Sequence, residues 1–264
     1  MPVPFDDRGL AYGDGLFETV LVRDGRPSLW DYHLARLRRG CAALGIDAPD
    51  EAVLATLPAA AESGLSVLKV IVTRGSGGRG YQAPADPEPR LRWQLSAFEP
   101  RRERWQHGVA VRHCRLRLAE QPALAGIKHL NRLENVLARR EWTSPDIAEG
   151  LLTSIGGHLI EATSMNVFWR RNGRWQTPCL ERCGVAGTLR AALLERLGID
   201  EVEFEPTALE TVEGLCLGNS VQGLWPVTAL ESPSGEPLER WRISDDLRFF
   251  QQQAHALLGY PAGI

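Results

Sequence analysis

Lysine is almost missing from this chain. Of 30 basic residues 28 are arginine, which leaves Lys69 and Lys128. Arginine does not give up its proton in proteins, so a chain that writes Arg nearly everywhere retains a lysine where an amine must be able to become neutral. Long apolar runs are missing too. The longest stretch without a charge, 214–230, is 17 residues long and contains Gly, Asn, Ser, Gln and Pro, too short and too polar for a membrane span. Acid and base nearly balance at a net charge of −3, which excludes a global attraction for nucleic acid or an anionic membrane; any anion must be recognised locally. The start, MPVPFDDRGLAYGDG, lacks the basic and apolar segments of a secretory signal, and the reading is cytoplasmic. Cysteines number five, Cys41, Cys114, Cys179, Cys183 and Cys216, an odd and scattered set that fits a reducing compartment. No second pair accompanies Cys179 and Cys183, so no metal site is assigned there. No repeat or low-complexity block occurs.

What is present is an ordinary globular composition, 44% hydrophobic and 24% charged over 264 residues, enough for about two domains. GLFETVLVR (15–23) alternates as a strand, and WDYHLARLRRGCAALG (30–45) places Leu34, Leu37, Cys41 and Leu44 at helical spacing. A second helix over 48–64 is interrupted near Pro58. VLKVIVTR and RLRWQLSAF read as strands joined by a Gly- and Pro-rich loop. This predicts a small α+β domain over 1–114, its helices together on one side of an antiparallel sheet. Residues 115–126 read as a linker to a second domain, 127–264. There HLNRLENVLARREW predicts an amphipathic helix with Leu130, Leu133, Leu137 and the stem of Arg140 on one face. Short strands follow at 147–153, 158–162, 166–170 and 173–176, the first two a hairpin through Gly156-Gly157. A helix over 188–197, strands at 201–205, 215–218 and 224–230, and a helix over 244–258 complete a β-rich domain, either a barrel or a strongly curved sheet.

Gly75-Ser-Gly77-Gly-Arg-Gly80 satisfies GxGxxG after a strand. A dinucleotide site needs a helix opening at the third glycine, and the proline-rich run that follows forbids one, so a mobile loop near a site is the better reading. Lys128, in Gly126-Ile-Lys128-His-Leu-Asn131-Arg-Leu-Glu134, stands where a loop enters the predicted helix. Lys69, flanked by Leu68 and Val70, falls on the other face of its strand and reads as structural.

With these landmarks on the page the chain resembles the class-IV aminotransferase-like, fold-type-IV pyridoxal-phosphate enzymes, and within them the aminodeoxychorismate lyase branch of folate biosynthesis. The resemblance runs from Asp7 to about Val227. It rests on Asp7-Arg-Gly9, Tyr12-Gly-Asp-Gly-Leu-Phe-Glu-Thr19, His33-Leu-Ala-Arg36, Arg74-Gly-Ser-Gly-Gly-Arg-Gly-Tyr81, the Lys128 segment, Glu161-Ala-Thr-Ser-Met-Asn166 and Gly184-Val-Ala-Gly187-Thr188. It implies a two-domain α+β fold of the D-amino-acid aminotransferase type, with a small α/β N-terminal and a larger β-barrel-like C-terminal domain. It also implies pyridoxal 5'-phosphate as cofactor and a homodimer with its active site between the domains. The implied activity is conversion of 4-amino-4-deoxychorismate to p-aminobenzoate and pyruvate; the alternative is a branched-chain or D-amino-acid aminotransferase.

Carried over by position, the resemblance makes Lys128 the Schiff-base lysine and general base, and Glu161 the partner of the pyridine nitrogen. Arg36, Gly187, Thr188 and Ser220 are implied to hold the cofactor phosphate, which suits a guanidinium fork and a helix N-terminus. Arg74 and Asn166 are implied to face the substrate. Two departures accompany it. Only six residues precede Asp7, where the family usually carries a further strand or hairpin. Where many transaminases place a tyrosine soon after the lysine, this chain has Arg132 or Leu133, which favours the lyase.

Overall fold

The structure is a computed structural model describing residues 3–261. The chain separates into two compact units, Met1–Glu99 with Ile127–Arg132, and Pro100–Gly126 with Leu133–Ile264. The expected boundaries at 114 and 126 therefore shift, and the ends 1–2 and 262–264 lie outside the described residues.

In the first unit a one-turn helix α1 (Arg8–Tyr12) precedes strand β1 (Gly15–Arg23) and a two-residue strand β2 (Arg26–Pro27). Helices α2 (Trp30–Leu44) and α3 (Glu51–Thr56) follow, then β3 (Leu65–Thr73) and β4 (Arg90–Ala97). The sheet is antiparallel in the order β2-β1-β3-β4. Alternation along β1 sends Leu16, Glu18, Val20 and Val22 to one face, and all four are buried. Leu34, Leu37 and Cys41 of α2 and Leu54 of α3 are buried with them. The helix–strand approach is close at Gly40, where a Cβ would stand 2.8 Å from Leu16 Cδ2. Lys69 projects from the opposite face, exposed, its Nζ 5.8 Å from the Phe17 ring centre, as its flanking residues predicted.

The second unit contains α4 (Arg102–His107), β5 (Val109–Leu118), α5 (Leu133–Arg139), β6 (Ile147–Ser154), β7 (Leu159–Ala162), β8 (Asn166–Arg171) and β9 (Arg174–Pro178). After these come α6 (Thr188–Leu197), β10 (Asp200–Val202), β11 (Gly214–Asn219), β12 (Gly223–Glu231), β13 (Pro237–Arg240) and α7 (Asp245–Ala256). Nine strands form one sheet, β10-β9-β8-β11-β12-β5-β6-β7, with β13 also paired to β12. Five strand spacings separate β8 from β7, about 24 Å if the sheet were flat. Ala162 and Asn166 are only four residues apart, a reach of at most about 15 Å, and Ala162 N donates to Met165 O at 2.8 Å. The sheet must curl into a half-barrel, as the many short strands predicted.

Two expectations fail. The predicted linker 115–126 begins inside β5, which is hydrogen-bonded in parallel to both β12 and β6; its outward Arg112, Arg115 and Arg117 disguise a strand as polar connecting chain. The predicted helix over 129–142 is confined to Leu133–Arg139, because residues before it pair with β1 instead. Its predicted apolar face does not bury either: Leu133 is 75% and Leu137 50% exposed, and Ala138 turns inward.

Candidate active site

In the first unit, residues 128–130 lie alongside the start of β1. Phe17 N donates to Lys128 O at 3.0 Å and Leu130 N to Gly15 O at 2.9 Å, with an antiparallel bridge between Leu16 and His129. Asn131 Nδ2 donates to Gly13 O at 3.2 Å, and a Cβ at Gly13, whose φ is +67°, would collide with Asn131 Oδ1. Arg132 folds back, donating from Nε to His129 O and from a terminal nitrogen to Ile127 O at 3.1 and 2.9 Å. Lys128 therefore sits on a pinned strand-like segment rather than at a helix start. Its Nζ lies 4.5 Å from the centre of the Phe17 ring, a contact that also favours a cation there.

Beneath the same strand, Glu18 is the one acid in an apolar row, and α2 supplies its partners one turn apart. Arg36 donates to both carboxylate oxygens, from Nε at 2.8 Å and a terminal nitrogen at 2.6 Å, and His33 Nδ1 is 2.6 Å from Oε2. Burial pushes the Glu18 carboxyl up, but the Arg36 charge, its paired hydrogen bonds and His33 outweigh this and hold it at about 2. Burial lowers the His33 value, partly countered by Glu18 and reinforced by Arg36 and Lys128. His33 is therefore neutral at pH 7, with its proton on Nδ1, donating to Glu18. The carboxylate fixes the orientation of Arg36.

Arg74, expected to face the substrate, makes four hydrogen bonds within the first unit. Its Nε and a terminal nitrogen bind Asp14 at 2.7 and 3.1 Å, and its remaining bonds go to Leu44 O and Gly45 O at the end of α2. The Arg74 guanidinium thus ties the end of α2 to the segment that enters β1. The Gly-rich segment, read from the sequence as a mobile loop, is tied to α1. Arg8 donates to the carbonyls of Gly77, Gly80, Tyr81 and Gln82 and pairs with Asp14 at 2.9 Å. Asp7 caps α1 through Gly9 N and accepts from Thr73 and Arg90. Asp7-Arg8-Gly9 and residues 74–82 thus form one clamp.

In the second unit Glu161, on β7, is buried and accepts from Val185 N at 2.8 Å. Val185 O in turn accepts from Asn166 Nδ2 at 2.8 Å, and Gly126 bridges to Val185. Asn166 is buried, and its Oδ1 occupies the place a Cβ on Gly187 would need. It therefore fixes the entrance to α6. Gly187 is the N-cap of α6 with no side-chain cap, and Thr188 and Arg190 are buried in its first turn. The ten-residue helix directs its N-terminal amides and positive dipole end here. Ser220 is buried in the turn between β11 and β12, shaped by Asn219 Oδ1 accepting from Val221 N and Gln222 N at 3.0 and 2.7 Å.

Each unit thus gathers a set: Lys128, Glu18, His33 and Arg36 in the first, Glu161, Asn166, Gly187, Thr188 and Ser220 in the second. Glu18 and His33 went unassigned at the level of sequence, although a lone acid in an apolar alternating row and a His–Arg pair at i, i+3 are visible signals.

The folds and these sets define a transaminase-type protein, and the chain belongs to the amino-transferase class IV family, whose model matches residues 15–230. It is 32% identical over 242 residues to an aminodeoxychorismate lyase of Vibrio harveyi, covering 89% of each chain. It also resembles the crystal structure of 4-amino-4-deoxychorismate lyase from Pseudomonas aeruginosa, at 43% identity and a TM-score of 0.87, over 97% of this chain and 95% of that one. A fold IV-transaminase from Curtobacterium pusillum aligns at 26% identity and a TM-score of 0.79, over 99% and 91%.

Proposed function

We propose that this chain is a pyridoxal-phosphate-dependent aminodeoxychorismate lyase that converts 4-amino-4-deoxychorismate to p-aminobenzoate and pyruvate. The observation that carries the reading is the 43% identity, across 97% of the chain, with the Pseudomonas aeruginosa lyase structure. A transaminase reading has less support, since a putative branched-chain-amino-acid aminotransferase of Methanocaldococcus jannaschii and a D-alanine aminotransferase of Bacillus licheniformis are each 27% identical. Arg132, near where transaminases carry a tyrosine, is spent on backbone carbonyls, which also favours the lyase.

The donor set fits the cofactor. A buried carboxylate, an uncapped helix start closed to any Cβ at Gly187, a buried hydroxyl and an amine on a pinned segment are the groups that a protonated ring nitrogen, a phosphate and an aldehyde require. Lys128 would hold the aldehyde carbon and Glu161 the ring nitrogen. Arg36, oriented by Glu18, would hold the phosphate together with Gly187, Thr188 and Ser220. When bound, the cofactor supplies an electron sink for the carbon that bears the substrate's nitrogen.

Lys128 takes the proton from that carbon as general base and returns it to the departing three-carbon fragment, which leaves as pyruvate. Glu161, dry and fixed by Val185 N, keeps the proton on the ring nitrogen. Breaking the ether bond leaves an aromatic ring, so the overall step is downhill. It consumes neither water nor an amino acceptor. The purified chain should therefore turn over aminodeoxychorismate with no 2-oxo acid present, and dependence on an added acceptor contradicts the reading.

Gly187→Ala tests the phosphate site. The new methyl group collides with Asn166 Oδ1, a strain of about 1–3 kcal/mol in a packed site. Cofactor retention in equilibrium dialysis should fall by about tenfold, since 1.4 kcal/mol is tenfold. Unchanged retention removes the α6 N-terminus from the site.

The same reading includes a cytoplasmic homodimer. Buried, unpaired thiols at Cys41, Cys114, Cys183 and Cys216 suit a reducing compartment. Phe5, Leu10, Tyr12 and Tyr81 leave apolar surface exposed in the first unit, and Tyr12 and Tyr81 have ring centres 5.5 Å apart. Sedimentation should show twice the chain mass; a stable, active monomer contradicts it.

A further inference from the structure

Glu149 plays no part in the chemistry above, yet it is a buried acid, and acids are almost never buried without a purpose for their oxygens. It lies on β6 three residues before Leu152, the register partner of Glu161. Side chains alternate along a strand, so Glu149 points to the face opposite Glu161 and does not touch what Glu161 touches. Its two oxygens are taken by the tight turn between β7 and β8: Thr163 Oγ1 donates to one and Ser164 Oγ to the other. The backbone of that turn is gripped as well. Thr163 N donates to Gly150 O at 3.0 Å, Asn135 Nδ2 to Thr163 O at 3.1 Å and Asn219 Nδ2 to Ser164 O at 3.2 Å.

The turn joins three assigned groups. Glu161 stands two residues before Thr163, Asn166 two after Ser164, and Ser220 follows Asn219. Residues 163–165 connect an edge strand of the sheet directly to an interior one. We propose that Glu149 is a positioning residue: its carboxylate clamps the Thr163–Ser164 turn and thereby sets Glu161, Asn166 and the Ser220 turn in register for the cofactor. Burial pushes the Glu149 carboxyl up, and the two hydroxyl bonds and a Gly150 bond pull partly against it. Glutamine keeps the function in part, since its amide accepts from one hydroxyl and donates to the other. Alanine keeps none of it.

This inference rests on the pyridoxal-phosphate reading, and the test separates the two. Full-length holoenzyme is prepared for the native chain, Glu149→Ala, Glu149→Gln and Glu161→Gln, with a Thr163→Val/Ser164→Ala double variant that removes the same bonds from the turn side. The half-life of cofactor on dialysis, its visible absorption, kcat and KM, and the melting temperature after cofactor removal are measured. Glu149→Ala and the double variant should each lose cofactor about tenfold faster, as loss of a supporting shell typically does, with kcat reduced and KM little changed. Their absorption should shift toward that of Glu161→Gln, and Glu149→Gln should restore most of each effect. If Glu149→Ala or, should it not fold, the double variant keeps native absorption, retention and kcat while only its melting temperature falls, Glu149 is merely structural and the proposal is overturned. If the native chain binds no cofactor, or Glu161→Gln leaves the absorption unchanged, the reading beneath it fails instead.

Discussion

Replacement of Lys128 by alanine is expected to lower turnover on the order of 10⁴-fold or more, the scale of losing a group that serves as both base and covalent anchor. The loss should be chemical. Lys128 is held through its backbone, by the bond from Phe17 N and by the neighbouring Leu130–Gly15 bond, and neither needs the side chain. The melting temperature of the cofactor-free chain should therefore change little. Lys128→Arg keeps the charge beside Phe17 but cannot become neutral, so it should rescue nothing. Lys69→Ala, on an exposed strand position, should leave turnover near the native rate. Borohydride treatment of the loaded native chain followed by peptide mapping should fix the cofactor on Lys128. A label on Lys69, or none, contradicts the assignment.

Replacement of Glu18 by alanine should cause the largest stability loss in the first unit. It removes the carboxylate that Arg36 grips through two nitrogens, and breaking a buried pair by removing one partner costs about 3–5 kcal/mol. The loss is pH-dependent with a defined sign. The folded Glu18 carboxyl titrates at about 2 against an ordinary 4.5, so its contribution is complete above pH 4.5 and disappears as the pH falls toward 2. His33, held below its ordinary 6.5, adds acid sensitivity of the same direction that begins higher, as the pH drops through 6.5. Denaturant melts of native and Glu18→Ala chains should differ most at pH 6–8 and converge toward pH 3. A gap that stays constant or widens on acidification would show that Glu18 is not an ionised partner of Arg36. Cofactor retention should fall in the same variant at neutral pH, because Arg36 loses the carboxylate that orients it.

Much of the fold was legible because its strands and helices carry simple periods. β1 alternates from Leu16 to Val20 and β3 from Leu65 to Val72, Gly156-Gly157 marks the β6–β7 hairpin, and Gly187 opens α6 where expected. The misses share a cause, since in each case tertiary partners override a local pattern. His129-Leu130-Asn131 has a helical apolar period, but the open edge of β1 at Gly15–Phe17 offers hydrogen bonds and takes it as a strand. β5 has arginines where an interior strand would have valines, and Arg112 and Arg115 reach Pro233 O just beyond the neighbouring strand β12.

The site divides in the same way. Lys128 and Glu161 stand out in the sequence, the first through the scarcity of lysine and both through motif position. The contacts of Arg74 were not legible, because its sequence neighbours, a glycine-rich loop, suggest mobility, whereas Arg8 ties that loop down and Asp14 captures Arg74. Glu149 was invisible because nothing within a few residues of it is chemically marked. Its meaning lies in the turn it grips, and that neighbour is supplied only by the β6–β7 register.

The central claim, that this active centre drains charge by breaking the ether bond rather than by moving a proton onto the cofactor, is tested most directly by product balance in the absence of any amino acceptor. Loaded enzyme is mixed with 4-amino-4-deoxychorismate, and p-aminobenzoate, pyruvate and pyridoxamine phosphate are quantified together. The account predicts p-aminobenzoate and pyruvate in equal amounts over many turnovers, with no stoichiometric build-up of pyridoxamine phosphate. Conversion of all the cofactor to the amine form, followed by arrest until a 2-oxo acid is added, would contradict it and make the chain a transaminase.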